Sequence, residues 1–235
     1  MAPEPDSPLQ AEAAERGAAL TLLPVAATLD YYALPASLQQ QTLVQFAPQI
    51  LSYLALGLWA SHNRNIVLRL GLEPAKIPDG LRWGIPTGLL LGGLNTFVIL
   101  AAYPRLGFDI TFLKTTPHAH PPVFVMVPWL ITGIALFVEI NFRGFILGRL
   151  IALASTVRTF SWPGGLSPLA LLGGALTFAF DPFMVNTFQH LHWIAVWDGL
   201  IWGAIWLRTR NLYTTIAAHA VEVIVMYLSV RAALG

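Results

Sequence analysis

Glu139 and Arg143 stand four residues apart in FVEINFRGFILGRL, a stretch otherwise apolar enough to lie in lipid. On a helix that spacing puts both side chains on one face, where a carboxylate and a guanidinium can pair. A charge near the bilayer centre costs from about 2.5 to more than 10 kcal/mol, so charges that stay there are paired and turned inward. A second group of this kind is His219 in TTIAAHAVEVIVMY, with Glu222 three positions on and nearly on the same face. Together a carboxylate and an imidazole can take a proton from water and return it, the elementary step of general acid-base hydrolysis. The plainer alternatives are an ion pair that pins one helix to its neighbours and a histidine that makes a structural hydrogen bond. Asp181 and Asp198 add carboxyls in two intervening apolar segments, where each can equally cap a helix or bond a backbone group.

Other candidates carry less. His118 and His120 in TPHAHPP, with His190 and His192 in QHLHW, raise the question of a metal because imidazole is the commonest ligand. Rings two positions apart diverge by about 200° on a helix, and beside an interface they have water to satisfy them. No metal is expected. Trp193, Trp197, Trp202 and Trp206 recur at spacings of four or five, a stripe that reads as lipid-facing or packing surface rather than a cofactor pocket. No cofactor is expected either. The absence of cysteine excludes a thiol nucleophile, a disulfide and a thiolate-bound metal.

The elements that must position these groups are membrane helices. The 235 residues are 56% hydrophobic and 11% charged, with a mean hydropathy of +0.64, whereas soluble domains carry roughly 25% charged residues. Runs of about 20 apolar residues mark spans, here at 42–60, 83–103, 123–147, 168–183, 190–207 and 213–230. Residues 18–34, interrupted by Pro24 and Asp30, read as a seventh span or an interfacial helix. The expectation is an all-α polytopic bundle of six to seven spans forming a single domain over 18–235, after a surface or disordered lead-in at 1–17. STVRTFSWPGGLSP reads as a connecting loop.

Alternation through the spans places Arg64, Arg69, Lys76, Arg82, Arg149, Arg158, Arg208 and Arg210 on one side, against Arg105, Lys114 and Arg231 on the other. The positive-inside bias makes the first side cytoplasmic and brings Glu139 and His219 to comparable depth. A net charge of +1 with scattered basic residues leaves no electrostatic footprint for nucleic acid.

VEINFRGFILGRL together with GLIWGAIWLRTRNLYTTIAAHA resembles the CPBP family, glutamate intramembrane proteases of the CAAX-protease and bacteriocin-processing type. That family carries E-E-x-x-x-R followed by Gly on one helix, F-x-x-x-H on a later one, and H-x-x-x-N on a last one, preceded by an Arg-Thr-x-x-Leu turn. The resemblance covers 129–227 and rests on Glu139, Phe142, Arg143 and Gly144, then on Gly199 through Arg208, Thr209, Leu212 and His219. It implies a hydrophilic membrane cavity in which a glutamate and a histidine activate water while an amide steadies the oxyanion, and a bacterial-type cytoplasmic (inner) membrane as the setting. Glu139, Arg143 and His219 would then be the catalytic core.

Three positions depart from the pattern. The first glutamate of the pair aligns with Val138, the histidine counted from Phe178 falls on Pro182, and the asparagine after His219 is Val223. None of these can exchange a proton or donate to an oxyanion. Asp181, His190 and Glu222 are the candidate substitutes. The first reading is therefore a catalytically degenerate homologue that serves as a scaffold; the alternative is an active endopeptidase using Glu139 and His219. A third reading, compatible with the first, is an accessory subunit packed against other integral membrane proteins, pigments or lipids. It draws on the small residues of GLLLGGLN and LLGGAL, which allow close helix approach.

Overall fold

Inside a bilayer a helix satisfies its own backbone, so the long apolar runs have one open local solution. The computed structural model describes residues 15–156 and 167–235, and among these it holds helices and no strand. A 3-10 turn, Ala18–Thr21, leads into α1 (Leu22–Tyr31), and α2 spans Thr42–His62. Helix α3 (Ile77–Phe97) continues through a π-helical turn, Val98–Ala102, to Arg105. Helix α4 (Val123–Ser155) contains two π-helical stretches, Met126–Ile131 and Ile140–Leu147. Then come α5 (Pro168–Ala179), α6 (Pro182–Phe188), α7 (Ile194–Thr209) and α8 (Leu212–Leu234). Most of the connector expected at 155–168, and most of the lead-in at 1–17, lie outside the described residues.

Among the described residues, four helical stretches are long and apolar enough to cross a membrane: α2, Ile66–Arg105, α4 and α8; α5 with Pro182–Thr209, bent by 52°, adds a fifth if taken as one span. This makes the chain a membrane-embedded helical bundle but supplies fewer full-length spans than the six to seven expected. One reason is α1: the helical run from Ala18 to Tyr31 rises about 21 Å, short of the roughly 30 Å hydrocarbon core. The other is the break at Phe180 and Asp181. There Asp181 caps α6, accepting from the Phe183 and Met184 amides at 3.1 and 3.3 Å, with Pro182 beginning the new helix. Beyond it the chain doubles back, for Gly199 packs on Ala175 and Gly203 on Leu171. Steps of four run in opposite directions on the two helices, so α5 and α7 are the arms of an antiparallel hairpin rather than a kinked rod.

The tightest pairing joins α3 to α8. Gly80, Gly84, Gly88 and Gly92 form a strip at steps of four; a Cβ at Gly84 would stand 2.6 Å from the Thr214 carbonyl oxygen, and one at Gly88 2.5 Å from that of Ala218. Without side chains on this strip the two backbones meet directly, the small-residue mode of membrane helix packing. The opposite face of α3 presents Leu81, Trp83, Leu89, Leu90, Leu94 and Phe97 outward. So large an apolar surface fits lipid, not water.

At the Arg-rich end, Glu15 is buried against α2 and α4. It accepts from Trp59 Nε1 at 2.8 Å, pairs with Arg69 at 3.4 Å and bonds Arg149. Arg149 in turn lies over the Trp59 ring at 4.1 Å. This end is closed by Gly71, whose positive φ of 78° turns the chain and whose carbonyl accepts from Leu212 N at 2.8 Å.

Candidate functional site

Glu139 ends a regular α-helical turn of α4, and the π-helical stretch that follows carries Arg143. Wider turns of this kind recur at functional positions, where they re-aim side chains within a helix. Arg143 Nη1 lies 3.1 Å from Glu139 Oε1, both side chains being almost wholly buried. The guanidinium also sits over two rings, 4.3 Å from the centre of Phe178 and 5.0 Å from that of Trp202. An arginine taken out of water is thus held by one carboxylate and by aromatic faces.

The third member arrives from α8. His219 Nδ1 donates to Glu139 Oε1 at 2.9 Å, and its ring stacks on Trp202 at 4.5 Å. The acid of α4 and the imidazole of α8 therefore meet directly inside the bundle. The α3–α8 glycine contact fixes the depth of His219, and the α5–α7 hairpin supplies Phe178 and Trp202.

One turn further along α8 is a second polar cluster. Asn95 Nδ2 donates to Asp198 at 3.2 and 3.3 Å and also to Glu222, while Asn95 Oδ1 accepts from Trp197 Nε1 at 3.0 Å. Two carboxyls from different helices thus share one amide. Among the described residues, neither has a basic side chain within ion-pair distance.

A cavity of about 420 Å³ adjoins both clusters. Asp198, Trp202, His219, Glu222 and Val223 form its floor, α4 contributes Met126, Ile134 and Val138, and Lys114, His118 and Arg231 stand at the far end. Glu139 is fully buried and is not part of the wall. Since His219 Nδ1 is committed to Glu139, Nε2 is the nitrogen left to the cavity side.

Each expected residue can now be placed. Glu139, Arg143 and His219 come together. Glu222 lies beside them but is bonded to Asn95 rather than serving His219. Asp181 lines the cavity as a helix cap, its Oδ1 also accepting from Gln49 Nε2 at 2.8 Å, so that oxygen ties α2 to the start of α6. His190 lies apart from the cluster, enclosed by Tyr103, Phe108 and Phe112 with ring centres 5.0 to 5.3 Å away. The tryptophan stripe divides: Trp202 and Trp206 are core, whereas Trp193 is half exposed. Sequence reasoning missed Asn95. Its position three residues after Gly92, on the same helix face as the glycine strip, was the available signal.

Fold and site together define a helical membrane protein with a buried Glu-Arg-His core beside an amphipathic cavity. No protein-family model, curated protein or solved structure matches the chain. The resemblance to CPBP proteases therefore rests on the sequence motifs alone.

Proposed function

We propose that this chain is a non-hydrolytic relative of the CPBP intramembrane proteases, which keeps the Glu139-Arg143-His219 core as a brace and offers its cavity and lipid-facing helices as a scaffold or accessory subunit of a membrane assembly. One observation carries the reading: Glu139 is sealed from the cavity, and its Oε1 is taken by both Arg143 and His219. A general base has to reach its water at about 3 Å. Val138 and Val223, both on the cavity wall, bring no proton and no oxyanion donor to it.

We count four full crossings in this scaffold, with the α5–α7 hairpin entering the membrane beside them. The concentration of arginines at the Glu15 end favours a cytoplasmic-membrane setting with that end inward. Partners in this reading are membrane lipids and other integral membrane proteins.

The active endopeptidase remains the second reading because His219, oriented by a carboxylate, lines the cavity together with Trp202, whose Nε1 has no partner among the described residues. Carboxylate-held imidazoles act as bases elsewhere. Purified protein in nanodiscs, incubated with a library of membrane-spanning peptides, separates the two. The scaffold reading expects no cleavage that depends on Glu139; cleavage by the wild type that is lost in Glu139→Gln would replace it with the protease.

A further inference from the structure

The cavity has a shape and a charge order of its own. Along α8 it is lined by His219, Glu222, Val223, Met226, Val230 and Arg231, a single helix face about 18 Å long. At about 420 Å³ it falls within the range of small-ligand pockets. The wall is mostly apolar, with Asp181 and its partner Gln49 the polar exceptions beside the floor cluster, and the mouth is cationic. Lys114 and Arg231 both line it, both are exposed, and neither has an acidic partner within ion-pair distance among the described residues. Arg231 is held in place by donating to the Ala119 carbonyl at 3.3 Å and to Tyr227 Oη at 2.9 Å.

We propose that this cavity binds a single-chain fatty carboxylate, with its head between Lys114 and Arg231 and its chain running along α8 toward Val223. The charge order sets the polarity of the ligand. A carboxylate turned to the floor would meet Asp198 and Glu222, while at the mouth it gains charge-assisted hydrogen bonds from two donors. A long-chain amine of the same shape meets like charge where it must enter. This inference deepens the reading of the cavity as a binding site; Glu139-dependent cleavage, measured on the same preparation, tests that reading separately.

The test is equilibrium binding of radiolabelled palmitate to the full chain in phosphatidylcholine nanodiscs. Saturable binding of one palmitate per chain is expected. Reversing both mouth charges, Lys114→Glu with Arg231→Glu, should weaken it by at least about tenfold, the scale of losing hydrogen bonds to a charged group. Val223→Trp, which fills the slot, should abolish it. The charge-reversed variant changes only exposed residues and so stands as a test even where Val223→Trp lowers expression. Binding that does not saturate, that ignores charge reversal, or that hexadecylamine matches would overturn the proposal. Displacement of palmitate by a lower concentration of an anionic lysophospholipid would overturn the assignment to a fatty acid.

Discussion

Arg143 keeps its charge inside the bundle through contacts of two kinds, a carboxylate at 3.1 Å and the faces of Phe178 and Trp202. Removing one member of a buried pair leaves the other uncompensated, at about 3–5 kcal/mol. Arg143→Leu is therefore expected to lower the thermal midpoint far more than a surface charge deletion; an unchanged midpoint would refute the brace. Arg143→Lys should fall between the two, since an ammonium keeps the charge but loses the planar stacking. At the end away from Glu15, outside the spanning helices, burial pushes the His118 imidazole pKa down. Its Nδ1 has no partner among the described residues, and its ring stacks on Phe188 at 5.5 Å. The folded state thus takes up this proton less readily than the unfolded chain. Stability from this group is full above the ordinary imidazole value of about 6.5 and falls as pH drops from there toward the folded value. The midpoint should decline as pH is lowered below about 6.5, and His118→Phe should reduce that slope; an identical slope in the variant would place its origin elsewhere.

Among the elements, α3 and α8 decide the site because their contact fixes where His219 and Glu222 stand. The strip from Gly80 to Gly92 admits no Cβ without a shift of α8, whereas at Gly93, one residue on, a Cβ would meet nothing within 4 Å. Gly84→Ala is expected to cost about 1–3 kcal/mol through overpacking. Gly93→Ala should be neutral or stabilise by up to about 1 kcal/mol, because alanine has less conformational freedom to lose. Paired unfolding titrations in mixed micelles check both; equal effects at the two positions would contradict direct backbone contact. GLLLGGLN shows its small residues in the sequence, but not which helix they meet. Likewise capping was one of the readings open to Asp181, and the helix break at Phe180 and Asp181 decided for it.

For the molecule as a whole, Glu15 ties the start of the described chain to α2 and to the Arg149 end of α4. It is almost fully buried and holds Trp59, Arg69 and Arg149 together. Glu15→Ala should destabilise the fold by about 3–5 kcal/mol, since it strands buried charge. Limited proteolysis should then cut near residue 15 faster than in the wild type; unchanged protection would show that the clamp is dispensable. This contact lay beyond the reach of sequence reading because Glu15 sits in a stretch that looks like a solvated lead-in, 54 residues from Arg69.

The sequence by itself determined that the chain is helical, that it lives in lipid, and that Glu139, Arg143 and His219 need partners. Those are consequences of local hydropathy and of the cost of charge in hydrocarbon, which a residue incurs whatever its neighbours. Tertiary structure alone decided who the partners are. Glu139 and His219 are 80 residues apart, and Asn95 and Glu222 are 127 apart. Their meeting depends on glycine contacts and on a helix hairpin that bring distant backbones within a few ångströms. The same packing closed Glu139 off from the cavity and left His219 on its wall, a distinction that spacing along one chain does not contain.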